Sequence, residues 1–197
     1  MTRLGMPEAD RLTPAQAQAC AEAVAGKRGK VPAPMTCWLH SPELARRAQA
    51  LGEMVRFDTT LEPHLCEMAI LLCARHWTAH VEWNAHKALA LKAGLDPQVI
   101  SDIAATRRPG LADDRARAVY DVATTLLATG RVPSPMYDQA LAALGERGLV
   151  ELVGVLGYYC LVSLTLNTFE VGLPESVAHD LQDPAYAGDR PGPEEAA

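Results

Sequence analysis

Along most of the chain apolar residues recur every three or four positions, and no stretch alternates with the period of two that builds a sheet. The pattern predicts an all-α protein. Thr13-Pro14 reads as an N-cap followed by proline at the first helical position, opening an alanine-rich peripheral helix that stops near Gly26. The segment KRGKVPAP then reads as a basic linker, because each proline biases the residue before it toward extended conformations. Ser41-Pro42-Glu43 opens a second helix, expected to reach about Phe57, with an early acid that complements the helix dipole. Thr60 to Trp77 is the most apolar stretch; Leu65, Met68, Ala69, Leu72 and Cys73 cover more than one face, which places it deep in the core. Thr78 is positioned to cap the next helix, which Gly94 ends as a C′ glycine.

Further along, Asp96-Pro97 starts a short helix that breaks at Arg107-Arg108-Pro109-Gly110, and Asp113 or Asp114 caps one that runs to Gly130. Ser134-Pro135 opens another. A last long helix, roughly Arg147 to Phe169, is apolar on most of its circumference, as expected of a core or a subunit interface. After Leu173-Pro174 the chain turns polar, and its final ten residues are expected to be disordered or draped over a neighbour. The chain thus divides into an N-terminal helix and linker over 1–40, a helical domain over 41–175 and a polar tail over 176–197. Its 197 residues suit a single domain.

Composition narrows the partners. A net charge of -6 provides no clustered excess of lysine and arginine for phosphate neutralisation, so no nucleic acid is expected; a small neutral or anionic molecule remains. No apolar run is expected to reach the roughly 18 residues that cross a bilayer, because Glu67, Arg75 and His76 interrupt the best candidate. The start, MTRLGMPEAD, lacks an apolar signal segment, which together with the absence of a membrane span leads to an expectation of a cytoplasmic protein. The five cysteines are odd in number and never spaced C-x-x-C, so buried thiols are expected rather than a disulfide framework. Cys66 and Cys73 share a helix face two turns apart, with Cα atoms roughly 10 Å apart, too far for a disulfide.

Candidate chemistry concentrates in one place. Glu82 and His86 are four residues apart, so a carboxylate and an imidazole project from the same helix face and the acid can orient the ring and raise its proton affinity. Glu67 lies within the preceding apolar helix. It reads either as a buried acid paired to a cation such as Arg75, or as a desolvated acid that holds a proton near neutral pH. His76 and His80 invite a metal reading with Glu82 or His86, but a helix break falls between them and the spacing is not H-E-x-x-H, so no metal is expected. Trp83 either packs the core or walls a pocket. Arg75 either neutralises Glu67 or clamps a substrate carboxylate.

Glu67, a helix break, Val81-Glu82-Trp83 with His86, and Ala93-Gly94-Leu95 together resemble the carboxymuconolactone decarboxylase family, which includes the AhpD-like alkylhydroperoxidases. That family's redox branch reads Glu, twelve residues on Cys, then x-x-Cys and x-x-x-His. Counted back from His86, this chain carries Ala79 and Glu82 at the two cysteine positions and Glu67 at the glutamate. Peroxidase chemistry of that branch needs a nucleophilic and a resolving thiol, and neither position holds sulfur. The E-W-x-x-H segment instead resembles the decarboxylase-like branch; the likeness spans roughly Leu44 to Pro174.

The resemblance implies an AhpD-like helical bundle that forms dimers, trimers or hexamers, with its site near subunit contacts. It further implies a cofactor-free acid-base enzyme like 4-carboxymuconolactone decarboxylase, acting on a small carboxylated lactone or related organic acid. In that role His86, oriented by Glu82, donates the proton and Glu67 is a second acid or relay, while Arg75, His80 and Trp83 are candidate pocket residues. The alternatives are another proton-transfer reaction such as isomerisation or hydration, the disfavoured peroxidase activity, and a non-catalytic ligand-binding oligomer.

Overall fold

The computed structural model describes residues 2–174 and 176–182. Among them there are helices and loops and no strand: α1 (Pro14–Ala25), α2 (Met35–Trp38), α3 (Pro42–Phe57), α4 (Pro63–His76), α5 (His80–Lys92), α6 (Pro97–Ala104), α7 (Asp114–Thr129) and α8 (Ser134–Thr168). The all-α reading of the sequence holds. The final ten residues lie outside the described part.

Local chemistry sets most of the boundaries. Thr13 and Gln16 form a reciprocal capping box at α1, Asp96 accepts from Gln98 N at α6, and Asp113 accepts from Ala116 N at α7. Gly130 closes α7 at φ 71°, and Gly94 follows α5 at φ 88°, both left-handed positions that suit a residue without Cβ. Thr78 does not cap α5 as expected. It sits at φ 48°, Ala79 occupies the N-cap, and the Thr78 hydroxyl accepts from Arg75 Nη1 at 3.1 Å. The two anticipated C-terminal helices meet end to end at Gly145, whose φ 72° and ψ 170° lie in a region essentially reserved for glycine. The α2 turn follows the predicted linker and carries no sequence cap; Met35 and Trp38 hold it by burial.

α4 is the central element, packed by α5, α6, α7 and α8, and every residue from Leu65 to Ala74 is buried. Its apolar circumference therefore has a structural cause: neighbours surround it. Truncating one fully enclosed side chain there, such as Leu71, costs about 2–5 kcal/mol. The N-terminal segment packs on its own chain, with α1 against α3 and the Trp38 indole donating to Thr165 Oγ1 on α8 at 2.9 Å. Buried Glu151 on α8 accepts from Thr60 N and Thr60 Oγ1 at 2.6 and 2.7 Å, tying the α3–α4 loop to α8. Contrary to the sequence reading, α8 is long and apolar enough by composition to span a bilayer. Yet 56% of its most apolar window is buried within the bundle, as a core helix would be.

Candidate functional site

α4 and α5 meet just after a tight turn, so a carboxylate on α4 can face the first turns of α5. Glu67 Oε2 lies 2.6 Å from His86 Nδ1, and His86 Nε2 lies 2.8 Å from Glu82 Oε1. Both ring nitrogens are thus held, one by an acid from each helix. All three residues are buried, with His86 only 4% exposed. Burial by itself would push the imidazole pKa down; the Glu82 charge, hydrogen bonds to Glu67 and Glu82 and the Glu67 charge outweigh it and raise the group to about 9. At neutral pH the ring is an imidazolium between two carboxylates.

A fourth charge completes the arrangement. Arg56 on α3 places Nε 3.7 Å from Glu67 Oε1, so two acids face two cations in one interior site. Of the two roles the sequence left open for Arg75, pairing with Glu67 is not the one it takes: Arg75 turns to Thr78, which the α4–α5 turn sets beside it. Of the other anticipated pocket residues, Trp83 donates its indole N–H to Asp180 at 3.0 Å, and His80 stacks on His179 with ring centroids 4.2 Å apart. Lys87 also reaches Asp180, at 2.7 Å, so residues 179–180 strap across α5 beside the site.

Several polar residues of the site have no sequence signature. Tyr159 on α8 meets the His86 ring edge-on at 5.0 Å, and Tyr158 meets Tyr159 at 5.1 Å. Gly52 on α3 makes room for Tyr158: a Cβ there would lie 2.1 Å from the Tyr158 hydroxyl. Arg28 donates to the Gly52 carbonyl at 3.0 Å. The hydroxyls of Tyr158 and Tyr159, both amide atoms of Gln49, and Arg28 Nε are buried without a hydrogen-bond partner among the described residues. Gln49, Gly52 and Arg56 follow helical spacing on α3, so these groups form a polar seam between α3 and α8 that ends at the Glu67–His86–Glu82 cluster. Buried polar atoms in such number need solvent or ligand. Burial pushes the Tyr158 hydroxyl up to about 12 and Tyr159 well above its usual range, so both stay neutral donors. A separate cleft of about 520 Å³, lined by Asp114, Arg117, Asp121 and Gln139 among others, includes none of these groups.

Three solved structures share this architecture. A protein of unknown function from Agrobacterium tumefaciens, named as a candidate AhpD of antioxidant defence, is 17% identical at TM-score 0.63, covering 70% of this chain and 94% of that one. An uncharacterised peroxidase-related protein from Silicibacter sp. TM1040 is 17% identical at TM-score 0.69, covering 86% and 90%. The debrominase Bmp8 is 9% identical at TM-score 0.70, covering 89% and 94%. This chain has the AhpD-like fold. No protein-family model matches the chain, and no curated protein does. At these identities the AhpD-like likeness concerns the backbone, and the chemistry rests on the side chains described above.

Proposed function

We propose that this protein is a cofactor-free acid-base enzyme acting on a small carboxylated lactone or related organic acid, with the polar seam as its substrate site. One observation carries the reading: a buried imidazolium held on both nitrogens by Glu67 and Glu82, beside neutral tyrosine hydroxyls that lack partners among the described residues. The arrangement supports proton delivery at neutral pH together with hydrogen bonds to an oxygen that gains charge.

Because both ring nitrogens are engaged, His86 acts through its carboxylates. Glu82 uses Oε1 to hold the ring, and its second oxygen is the atom that meets substrate. In decarboxylation the carboxylate C–C bond breaks, CO₂ departs and the electron pair delocalises onto the lactone oxygen as a dienolate. Tyr159 and Tyr158 donate to that oxygen, while Arg56 or Arg28 offers a cation to the substrate's charge. Glu82 then passes a proton to carbon, drawn from the imidazolium, and solvent restores it. The two carboxylates, the imidazolium and the guanidinium sum to zero charge before the reaction. That balance lowers the cost of holding four charges in the interior.

The test is turnover of an activated carboxy-lactone by the wild type and by Glu82→Gln and His86→Ala. Losses of roughly 100-fold or more in kcat are expected from removing general acid-base chemistry; unchanged kcat in both variants refutes the assignment. The enclosure of the site favours a second reading, a non-catalytic ligand-binding oligomer. Binding of a lactone or β-keto acid in a thermal-shift panel, without turnover, selects it. We further propose a cytoplasmic homo-oligomer. Five free cysteines suit a reducing compartment, and exposed Leu51 and Met54 on α3 with Val150 and Val153 on α8 provide apolar contact surface. Sedimentation of the purified protein as a monomer overturns the oligomer.

A further inference from the structure

His80, Trp83 and Lys87 follow helical spacing along one face of α5, and the acid-base chemistry leaves that face unused. Two residues that follow α8 lie against it. His179 stacks on His80 with ring centroids 4.2 Å apart, and Asp180 Oδ2 accepts from both Trp83 Nε1 at 3.0 Å and Lys87 Nζ at 2.7 Å. The next residue, Leu181, joins the apolar core. Among the described residues no backbone–backbone hydrogen bond ties segment 176–182 to a helix; Val177 N donates to the Pro174 carbonyl just before it. The Asp180 carboxylate is therefore the main polar fastening of this strap.

That fastening has the form of a ligand site. An indole N–H and an ammonium converge on one carboxylate oxygen, an arrangement that suits any small organic acid. Trp83 is only 2% exposed, so its N–H needs an acceptor at this point and pays for its loss. The other side is open, since the Lys87 and Asp180 side chains keep 40% and 35% of their surface. A carboxylate arriving from solvent meets the same two donors. Hydrogen bonds from Lys87 and Trp83 outweigh burial and hold the Asp180 carboxyl below the usual range, so the group already there is fully ionised at neutral pH.

We propose that Trp83 and Lys87 form a carboxylate-binding site filled in cis by Asp180, and that a small organic acid taking this site releases the strap from α5. The exchange conserves hydrogen bonds: one carboxylate oxygen leaves both donors as another arrives, so the buried indole N–H is not left unpaired. Asp180 competes as a tethered ligand at an effective concentration of roughly millimolar order, and the incoming acid must reach that range to displace it. Without Asp180 the strap keeps the histidine stack and Leu181. Release takes His179 and Asp180 off the helix that carries Glu82 and His86, which makes the cover over that helix responsive to the concentration of an acid. The site stands apart from the acid-base reading, because it takes a carboxylate whether or not Glu82 and His86 transform one.

Nuclear magnetic resonance of the intact, nitrogen-15-labelled chain, titrated with sodium succinate against sodium chloride at matched ionic strength, tests the proposal. The Trp83 indole N–H and the backbone amides of 179–181 are expected to shift together with succinate and to stay in place with chloride. In Asp180→Ala, which removes the tethered competitor, the indole is expected to half-saturate at about tenfold lower succinate than in the wild type. In Lys87→Gln, which removes the ammonium, about tenfold more succinate is expected to be needed. An equal response to chloride overturns the proposal, since it reduces the effect to screening. So does an Asp180→Ala midpoint no lower than that of the wild type, or an indole shift that leaves the amides of 179–181 unmoved. Far-ultraviolet circular dichroism establishes that both variants are folded, and either one alone decides whether the site answers to the carboxylate.

Discussion

Glu67 Oε2 lies 2.6 Å from His86 Nδ1, although nineteen residues and a helix break separate the two in sequence. That contact turns a same-helix pair on α5 into a three-membered hydrogen-bonded cluster between two helices. It also makes each carboxylate a test of the other.

Replacing Glu82 with Gln removes the larger of the two attractive influences on His86, and Glu67→Gln removes a hydrogen-bonded charge on the opposite nitrogen. In each variant the His86 midpoint, followed by nuclear magnetic resonance of its ring proton, is expected to fall from about 9 toward or below its ordinary value. Each variant also leaves buried charge less well compensated, and urea unfolding should register a loss of about 3–5 kcal/mol. A midpoint that stays near its wild-type position would separate the histidine from its carboxylates.

The raised His86 pKa makes stability depend on pH in a defined direction. The folded protein binds this proton more tightly than the unfolded chain does, so the stabilisation is fully present below the unfolded value of 6.5. It declines as the pH rises through about 9. The midpoint temperature is therefore expected to fall between those limits, and His86→Gln should flatten that part of the profile. An equally steep fall in the variant would locate the titrating group elsewhere.

Tyr159 separates function from stability. Its hydroxyl is buried with no partner among the described residues, so Tyr159→Phe removes a group whose burial costs free energy. The variant is expected to melt at an equal or higher temperature. If the hydroxyl supports a developing oxyanion, kcat should drop by roughly 100-fold at the same time. A lower melting temperature with kcat intact would make Tyr159 a packing residue only.

Gly52 should behave against helix propensity. Alanine in a helix interior is ordinarily favoured over glycine by about 1 kcal/mol. Here the new methyl would fall 2.1 Å from the Tyr158 hydroxyl and 2.2 Å from its ring carbon, so Gly52→Ala is expected to destabilise by about 1–3 kcal/mol. In a Tyr158→Ala background the same change should become neutral or stabilising. Chemical unfolding of the two single variants and the double variant checks the reversal.

Much of this fold could be read from local signals because most helices announce their starts. Thr13-Pro14, Asp96-Pro97, Asp113 and Ser134-Pro135 mark helix starts through groups within a few residues of each boundary. α2 could not be read this way, since Met35 and Trp38 are held by contacts with distant elements. The site divides along the same line. Glu82 and His86 are one turn apart on one helix and were visible; Arg56 was not, because its approach to Glu67 depends on how α3 packs. Tyr158 and Tyr159 sit in an apolar run that reads as core, and the absence of hydrogen-bond partners among the described residues distinguishes them.

The missing side chain at Gly52 has a consequence for how this scaffold can diversify. α3 touches neither Glu82 nor His86 through hydrogen bonds, yet a single hydrogen atom on it sets how far the Tyr158 ring can advance toward the seam. A lineage could therefore rescale its interior chamber by changing one position on α3, with Glu67, Glu82 and His86 untouched.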